Sequence, residues 1–428
     1  MTSHSQSLSP KPLLLERSLN LLAEAKELIP GVTQSLMKRP EAFAPGAYPV
    51  YLASGAGATV RDVDGNEYID YVCGLGANGL GHNHPAIVEA ILEALRGGLS
   101  HSLPTELELE AARRLVEVIP GAERVRFFKT GADATSAAVR LARHVTGKSR
   151  ILTVGYNGWH DHFMYDTSGV PSSLSQLSQR MPLFSESDEP RLLERVAQDG
   201  RELAAVVLSL PYGRCISADF LHRLRAACHA VSALLVLDEV VTGFRLALGG
   251  AQELFDLSAD IVCLSKALAA GMPLSAVTGP RAILEQMEAL QVSTTFGGER
   301  LSLAACHAAL GVYRDTPAIA HMHDMGERLR DGVNRVSEAT GASLRIVGYA
   351  PIPFFQFSPD PVHNAAQMEH FLAGMARRGV LLRRDVNFLS CVHTPDQIEH
   401  TIDAAQATLE EMSPRARAAD ALGKQRRA

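Results

Sequence analysis

Between Val125 and Leu264 short apolar runs alternate with helix-length segments. This alternation constrains the fold more than any other feature of the 428-residue chain. Val125-Arg126-Phe127-Phe128, Ile151-Leu152-Thr153-Val154, Ala205-Val206-Val207-Leu208, Leu234-Leu235-Val236-Leu237 and Ile261-Val262-Cys263-Leu264 read as strands. Ala134 to His144, closed by Gly147, and residues 218–230 read as helices. Parallel strands need a crossover, which a helix usually supplies, so the order predicts a mostly parallel, doubly wound α/β sheet in a large domain.

The flanks follow other patterns. Residues 13–29 have helical periodicity and stop at Pro30-Gly31. Thr59 to Tyr71 reads as a hairpin turned by Asp64-Gly65, with Val60, Tyr68 and Ile69 as strand formers. Thr105 and Glu108 are spaced as a capping box ahead of a helix carrying Leu107, Leu109, Leu115 and Val116. Beyond about residue 310, helices surround short strands at Leu344-Arg345-Ile346-Val347 and Phe354-Phe355-Gln356-Phe357, and a last helix lies near 395–411. A second, smaller α+β domain built from both termini is expected. The expected partition is a flexible N-terminus at 1–14, an N-terminal segment of the small domain at 15–70 and a large domain at 71–310. The C-terminal small domain then runs over 311–412, and a loosely ordered tail over 413–428.

A formal charge of -6 argues against a nucleic-acid-binding surface. Met1 to Pro12 is polar and Ser-rich without an apolar core, so no secretory signal is expected, and no apolar run approaches a membrane span. Cys73, Cys215, Cys228, Cys263, Cys306 and Cys391 show no C-x-x-C spacing. They read as buried free thiols of a reducing compartment, with the cytoplasm as the expected location.

In an open α/β sheet, ligands sit beyond the carboxyl ends of the strands, so the residues after each run are informative. After Phe128 comes Lys129-Thr130-Gly131-Ala132-Asp133, where a glycine at a helix start makes a good phosphate site. After Val154 comes Gly155-Tyr156-Asn157-Gly158-Trp159-His160-Asp161, whose aromatics can stack on a flat ring. Leu237 is followed by Asp238, and Leu264 by Ser265-Lys266. Alone, each is an ordinary strand-end acid or surface lysine. Together, four strand ends describe a pocket for pyridoxal phosphate better than one for any other common cofactor. Lys266 would form the Schiff base and then shuttle protons at the substrate carbon. Asp238 would keep the ring nitrogen protonated, and Val240 would pack on the ring face.

Three competing motifs carry less weight. Gly74-Leu75-Gly76-Ala77-Asn78-Gly79 matches G-x-G-x-x-G, but Gly81 and Pro85 interrupt any following helix, so it reads as a loop. His82-x-His84 and His160-x-His162 lack a cysteine or carboxylate cluster at metal-binding spacing, and no metal is expected. Neither G-x-S-x-G nor a Walker A sequence is present.

The segment Leu237-Asp238-Glu239-Val240-Val241-Thr242-Gly243-Phe244-Arg245, continued by Leu248-Gly249-Gly250-Ala251-Gln252, Ser265-Lys266 and Gly271-Met272-Pro273, resembles class III aminotransferases. Within them it is similar above all to the glutamate-1-semialdehyde 2,1-aminomutase branch. Further matches include Ile29-Pro30-Gly31, Asp62 to Asp70, Gly81-His82-Asn83-His84-Pro85, Ser293-Thr294-Thr295-Phe296 and Ser390 to Thr394, so the resemblance spans roughly 15–411. It implies fold type I of the pyridoxal phosphate enzymes, a homodimer with active sites at its interface, and a ping-pong transfer. It also implies Lys266 as Schiff base, Asp238 at the ring nitrogen, Val240 on the ring face and Tyr156 stacked on the ring. Gly131 and Ala132 would take the phosphate, and Thr295 would reach the phosphate of the neighbouring subunit.

The departures from the family pattern point to a specialised substrate rather than housekeeping aminomutase activity. Ala132 stands for Ser or Thr, Asp133 for Glu and Asn157 for the His of a Tyr-His-Gly motif. Leu210 stands for the acid of a Glu-Pro pair, and Gly298-Glu299-Arg300 for Gly-Asn-Pro. Lys38, Arg39, Arg245, Arg383 and Arg384 are candidates to hold a donor carboxylate, each against the plainer reading of a solvated or structural charge. Asp385, with Trp159-His160-Asp161, would suit an amino-sugar substrate, as in similar enzymes of aminoglycoside antibiotic pathways. The expected activity is therefore aminotransfer between an amino donor and an aldehyde or ketone; the alternative is an isomerase, either aminomutase or epimerase.

Overall fold

The computed structural model describes residues 12–413. Of the ends expected to be flexible, 1–11 and 414–428 lie outside the described residues. The chain forms two compact units. Among the described residues, one is drawn from 12–75, from Gly81–Asn83 and from 321–413; the other comprises Gly76–Leu80 and His84–Ala320.

In the first unit β1 (Leu52–Ala56), β2 (Thr59–Asp62) and β3 (Glu67–Asp70) form an antiparallel meander. The expected hairpin is β2–β3. Asp62 ties its turn together, its Oδ1 accepting from the backbone N–H of Asp64 (3.0 Å) and Asn66 (2.8 Å). Gly65 takes φ +93° there, a conformation that favours glycine.

The second unit holds a seven-stranded sheet made of β4 (Arg124–Phe128), β5 (Arg150–Val154), β6 (Ser178–Met181), β7 (Leu203–Ser209), β8 (Leu234–Glu239), β9 (Ile261–Leu264) and β10 (Ser275–Gly279). The strand order is β4-β10-β9-β8-β7-β5-β6. The pairs from β9 to β6 are parallel, and β10 runs antiparallel between β4 and β9. Every residue of β7 is buried, as befits a strand covered on both faces. The helix Gly131–Thr146 lays Ala134, Ala137, Ala138, Leu141 and Ala142 on Phe128, Val207, Val236, Cys263 and Val277. Side chains no larger than a methyl over much of that face let the helix approach the sheet closely.

Back in the first unit, β11 (Arg345–Val347) pairs with β12 (Phe354–Gln356), and β13 (Val380–Leu381) adds to β3 in parallel. The last helix is Pro395–Met412. Among the described residues no helix is long and apolar enough to cross a membrane. The reading of all six cysteines as buried needs correction at two, Cys215 and the half-buried Cys391. Cys73, Cys228, Cys263 and Cys306 are buried, but Cys215 is exposed because it lies in the loop between β7 and the helix Ala218–Ala230.

Candidate active site

The parallel strands β5, β7, β8 and β9 end on one side of the sheet, and the candidate chemistry gathers there. Asp238 lies in β8 opposite Cys263 of β9, with Lys266 three residues further along. Lys266 opens a single tight turn, Lys266–Ala269, at φ +46°. A non-glycine residue held in the left-handed region is strained, and such strain persists where the surroundings impose it. Here Ser265 Oγ donates to the carbonyl of Leu274 (2.8 Å), and Tyr313 Oη donates to that of Ala267 (3.3 Å).

Asp238 is buried. Its Oδ2 accepts from Asn157 Nδ2 (2.9 Å) and its Oδ1 from the Val240 N–H (3.1 Å). Burial pushes its carboxyl up from the ordinary range, and Asn157, the Val240 N–H and the Lys266 charge pull it back, in that order. A carboxylate kept in so dry a place is suited to face a protonated ring nitrogen. Sequence reasoning noted Asn157 only as a departure and missed its role. A polar residue just past a strand end was the available signal.

The candidate phosphate cradle begins the helix Gly131–Thr146. Thr130 caps it: Thr130 Oγ1 accepts from the Asp133 N–H (3.1 Å), and Asp133 Oδ2 accepts from the Thr130 N–H (2.8 Å). The helix therefore starts at Gly131, not at Ala134 as expected, because Asp133 closes the box that a glutamate usually closes. A Cβ on Gly131 would lie 2.8 Å from Val240 Cγ1, so the glycine and the valine pack directly together. Lys129, just before the cradle, is bound to Glu299 (2.7 Å). Glu299 also caps the helix Arg300–Asp315 through the N–H groups of Leu301 (2.8 Å) and Ser302 (3.0 Å). Partial burial raises the Glu299 carboxyl, but Lys129 and Ser302 outweigh it and hold the group below its ordinary value. An anion at Gly131 and Ala132 would thus meet backbone N–H groups and a helix N-terminus, with the neighbouring lysine already neutralised.

Tyr156 exposes 65% of its surface, leaving a ring face open for stacking. Burial of the remainder and the Asp238 charge raise its phenol. Trp159 is also exposed, with its ring edge against His160 (4.8 Å between centroids). Thr295 sits on an exposed loop ahead of the helix Arg300–Asp315.

Several predicted substrate residues have other work. In the first unit, Asp385 Oδ1 pairs with Arg383 (3.1 Å) and Arg384 with Glu369 (3.1 Å). Arg245, fully buried, donates to the carbonyl of Gly76 (2.8 Å). Arg39 lies against Gly31, and Lys38 is exposed. His82 Nε2 is 2.8 Å from Asp70, and His160 Nδ1 is 2.6 Å from Ser136 Oγ.

Glu239, beside Asp238, was given no role from sequence. It is buried and accepts from Thr242 Oγ1 (2.7 Å) and from the N–H groups of Ala251 (2.6 Å) and Gln252 (3.4 Å). A Cβ on Gly250 would lie 2.4 Å from Glu239 Oε1, which explains the glycine. Burial pushes the Glu239 carboxyl up to about 7, against those hydrogen bonds. The folded state therefore keeps a proton that the unfolded chain releases near pH 4.5. The associated stability is fully present below that pH and is lost as pH rises through about 7. The melting temperature of the cofactor-free protein is expected to fall across this window, with a slope from this group on the order of 1 kcal/mol per pH unit. Glu239→Gln should flatten that fall; melts at several pH values with an unchanged slope would contradict the assignment.

The geometry therefore offers an anion cradle, a valine face, an open tyrosine ring, a buried acid and a strained lysine. That set fits pyridoxal phosphate, with one partner for each part of the molecule. Comparison with known proteins agrees. The class-III aminotransferase family matches residues 42–394. The glutamate-1-semialdehyde 2,1-aminomutase of Methanosarcina acetivorans is 33% identical over 421 residues, covering 91% of this chain and 97% of that relative. A transaminase solved with pyridoxal phosphate bound superimposes with a TM-score of 0.85 at 27% identity, covering 95% of this chain and all of that one. A glutamate-1-semialdehyde aminomutase from Pseudomonas aeruginosa shares the fold with a TM-score of 0.82 at 20% identity, covering 94% and 95%. The chain thus has the type I fold and belongs to the class-III aminotransferases, a family of enzymes that work through pyridoxal phosphate.

Proposed function

We propose that this enzyme moves an amino group between an amino donor and the carbonyl carbon of a small molecule, with Lys266 handling the proton. The observation that carries the reading is Lys266 itself, held at φ +46° just past β9, with its charge felt by the buried Asp238 of the adjacent strand. When bound, pyridoxal phosphate supplies an aldehyde that captures a primary amine and a ring that accepts the electron pair left by deprotonation. Gly131 and Ala132 would hold the phosphate by their N–H groups, and Val240 and Tyr156 would lie against the ring. Asp238 would keep a proton on the ring nitrogen. The Lys266 amine removes and returns a proton at the substrate carbon. Thr295, on its exposed loop, completes the phosphate site of a second copy, which makes the working unit a homodimer.

A second reading, exchange of the amine within one molecule, is favoured by the aminomutase named at 33% identity. The same lysine serves both. The departures at Asn157, Leu210 and Glu299 weigh toward transfer between molecules. Mixing the cofactor-loaded protein with a panel of amino acids separates them. Transfer should release one equivalent of 2-oxo acid as the absorbance of the lysine-bound cofactor disappears. Turnover of glutamate 1-semialdehyde with no such release would establish the second reading instead. Trp159 and Asp161, both exposed, support an amino-sugar acceptor, so 6′-amino and 6′-oxo aminoglycosides belong in the panel. Their failure to react would remove that acceptor class.

A further inference from the structure

We propose that Asn157 is a positioning residue that fixes the Asp238 carboxylate in the orientation the cofactor's ring nitrogen requires. The inference rests on Asp238 being the partner of that nitrogen. Asn157 is 3% exposed, and its Nδ2 donates to Asp238 Oδ2 at 2.9 Å. Its Oδ1 is also buried and has no hydrogen-bond partner. An amide that leaves one buried end unpaired keeps its place only if the other end is held, and the reverse orientation would set an oxygen against a carboxylate.

The backbone around Asn157 is clamped as well. Thr135 Oγ1, one turn into the cradle helix, donates to the Asn157 carbonyl at 2.6 Å. Gly155 (φ +77°) and Gly158 (φ +124°) flank it; a Cβ on Gly158 would lie 3.0 Å from the Cα and Cβ of Ala132, and one on Gly155 3.1 Å from Ser209 Cβ. Asn157 therefore links the element that holds the phosphate to the strand that carries the acid, so the two ends of the cofactor site keep a fixed spacing. Lys266, Tyr156, Glu239 and Cys263 are titratable groups whose charge couples to Asp238. Asn157 adds no titratable group of its own to that set.

The test is equilibrium binding of pyridoxamine 5′-phosphate to the cofactor-free protein, since this ligand forms no bond to Lys266. Asn157→Ala should weaken binding about tenfold. Asp238→Asn should weaken it at least as much. The double variant should bind no worse than Asp238→Asn alone, because Asn157 acts through Asp238. A packing role would reproduce the tenfold loss in both backgrounds and overturn the proposal, as would native affinity in Asn157→Ala. Asn157→His decides the matter if the alanine variant does not fold. Its imidazole should change the pH profile of binding between about pH 5 and 8 relative to that of the native protein; a profile identical to the native one overturns the proposal. Unchanged binding in Asp238→Asn would overturn the assignment of Asp238 and this inference with it.

Discussion

Replacing Lys266 by Ala is expected to lower turnover by about four orders of magnitude while leaving the fold intact. Two functions disappear together. On the proposed roles, the amine that would anchor the cofactor covalently is gone, and so is the base at the substrate carbon, which alone is worth roughly 10²–10⁴-fold. The measurement has two parts. The absorbance of the lysine-bound cofactor should be absent, and pyridoxamine 5′-phosphate, which needs no such bond, should still bind. Lys266→Arg keeps the charge that Asp238 feels but cannot supply a free amine near neutral pH, so it should be nearly as inactive. If Lys266→Ala retained the absorbance band, another lysine would have to be the anchor. The alanine variant also removes a long side chain from a left-handed backbone position without relieving its strain, so little change in melting temperature is expected.

Asp238→Asn is expected to cost about 10²–10³-fold in turnover, the scale seen when a preorganised charge is removed from a dry site. The amide is nearly isosteric and can still accept from the Val240 N–H, but it could not hold a proton on the ring nitrogen in the proposed role. Its own N–H₂ group would meet that of Asn157, which donates to this position in the native protein. The loss should fall mainly on kcat. A loss confined to KM would mean that Asp238 binds substrate rather than tuning the cofactor. Because burial already raises its carboxyl, native activity should also fall on the acid side, where Asp238 begins to take up a proton.

Much of this candidate site was legible because residues in a doubly wound sheet gather at strand ends, and the strands that carry them are short apolar runs. Lys266, Asp238, Gly131 and Tyr156 each follow such a run. Other features were hidden for identifiable reasons. β10 carries Ser275, Thr278 and Gly279 and lies between β4 and β9, so its burial comes from neighbours that the local sequence does not announce. β6, Ser-Gln-Arg-Met, is an edge strand of polar residues with no apolar period to read. Glu239 and Asn157 make their contacts with residues remote in the chain: Glu239 with Ala251, and Asn157 with Thr135 and Asp238. Asp385 suggested an acid near the substrate, but it is already paired to Arg383, two residues away.

The pair Asp238-Glu239 has a further consequence, for how the sheet finds its alignment during folding. β8 is Leu-Leu-Val-Leu-Asp-Glu, and all but its first residue are buried. A strand covered on both faces cannot use alternation of apolar and polar residues to choose its alignment with its neighbours. Its two terminal acids supply that information instead. Successive side chains point to opposite faces, so Asp238 finds Asn157 on one side while Glu239 finds Thr242 and the N–H groups of Ala251 and Gln252 on the other. Sliding β8 by one residue would turn each acid toward the wrong face and bury two unpaired carboxyl groups. Asp238, proposed to face the ring nitrogen, and its neighbour Glu239 thus also act as the alignment marks by which the central strand is threaded.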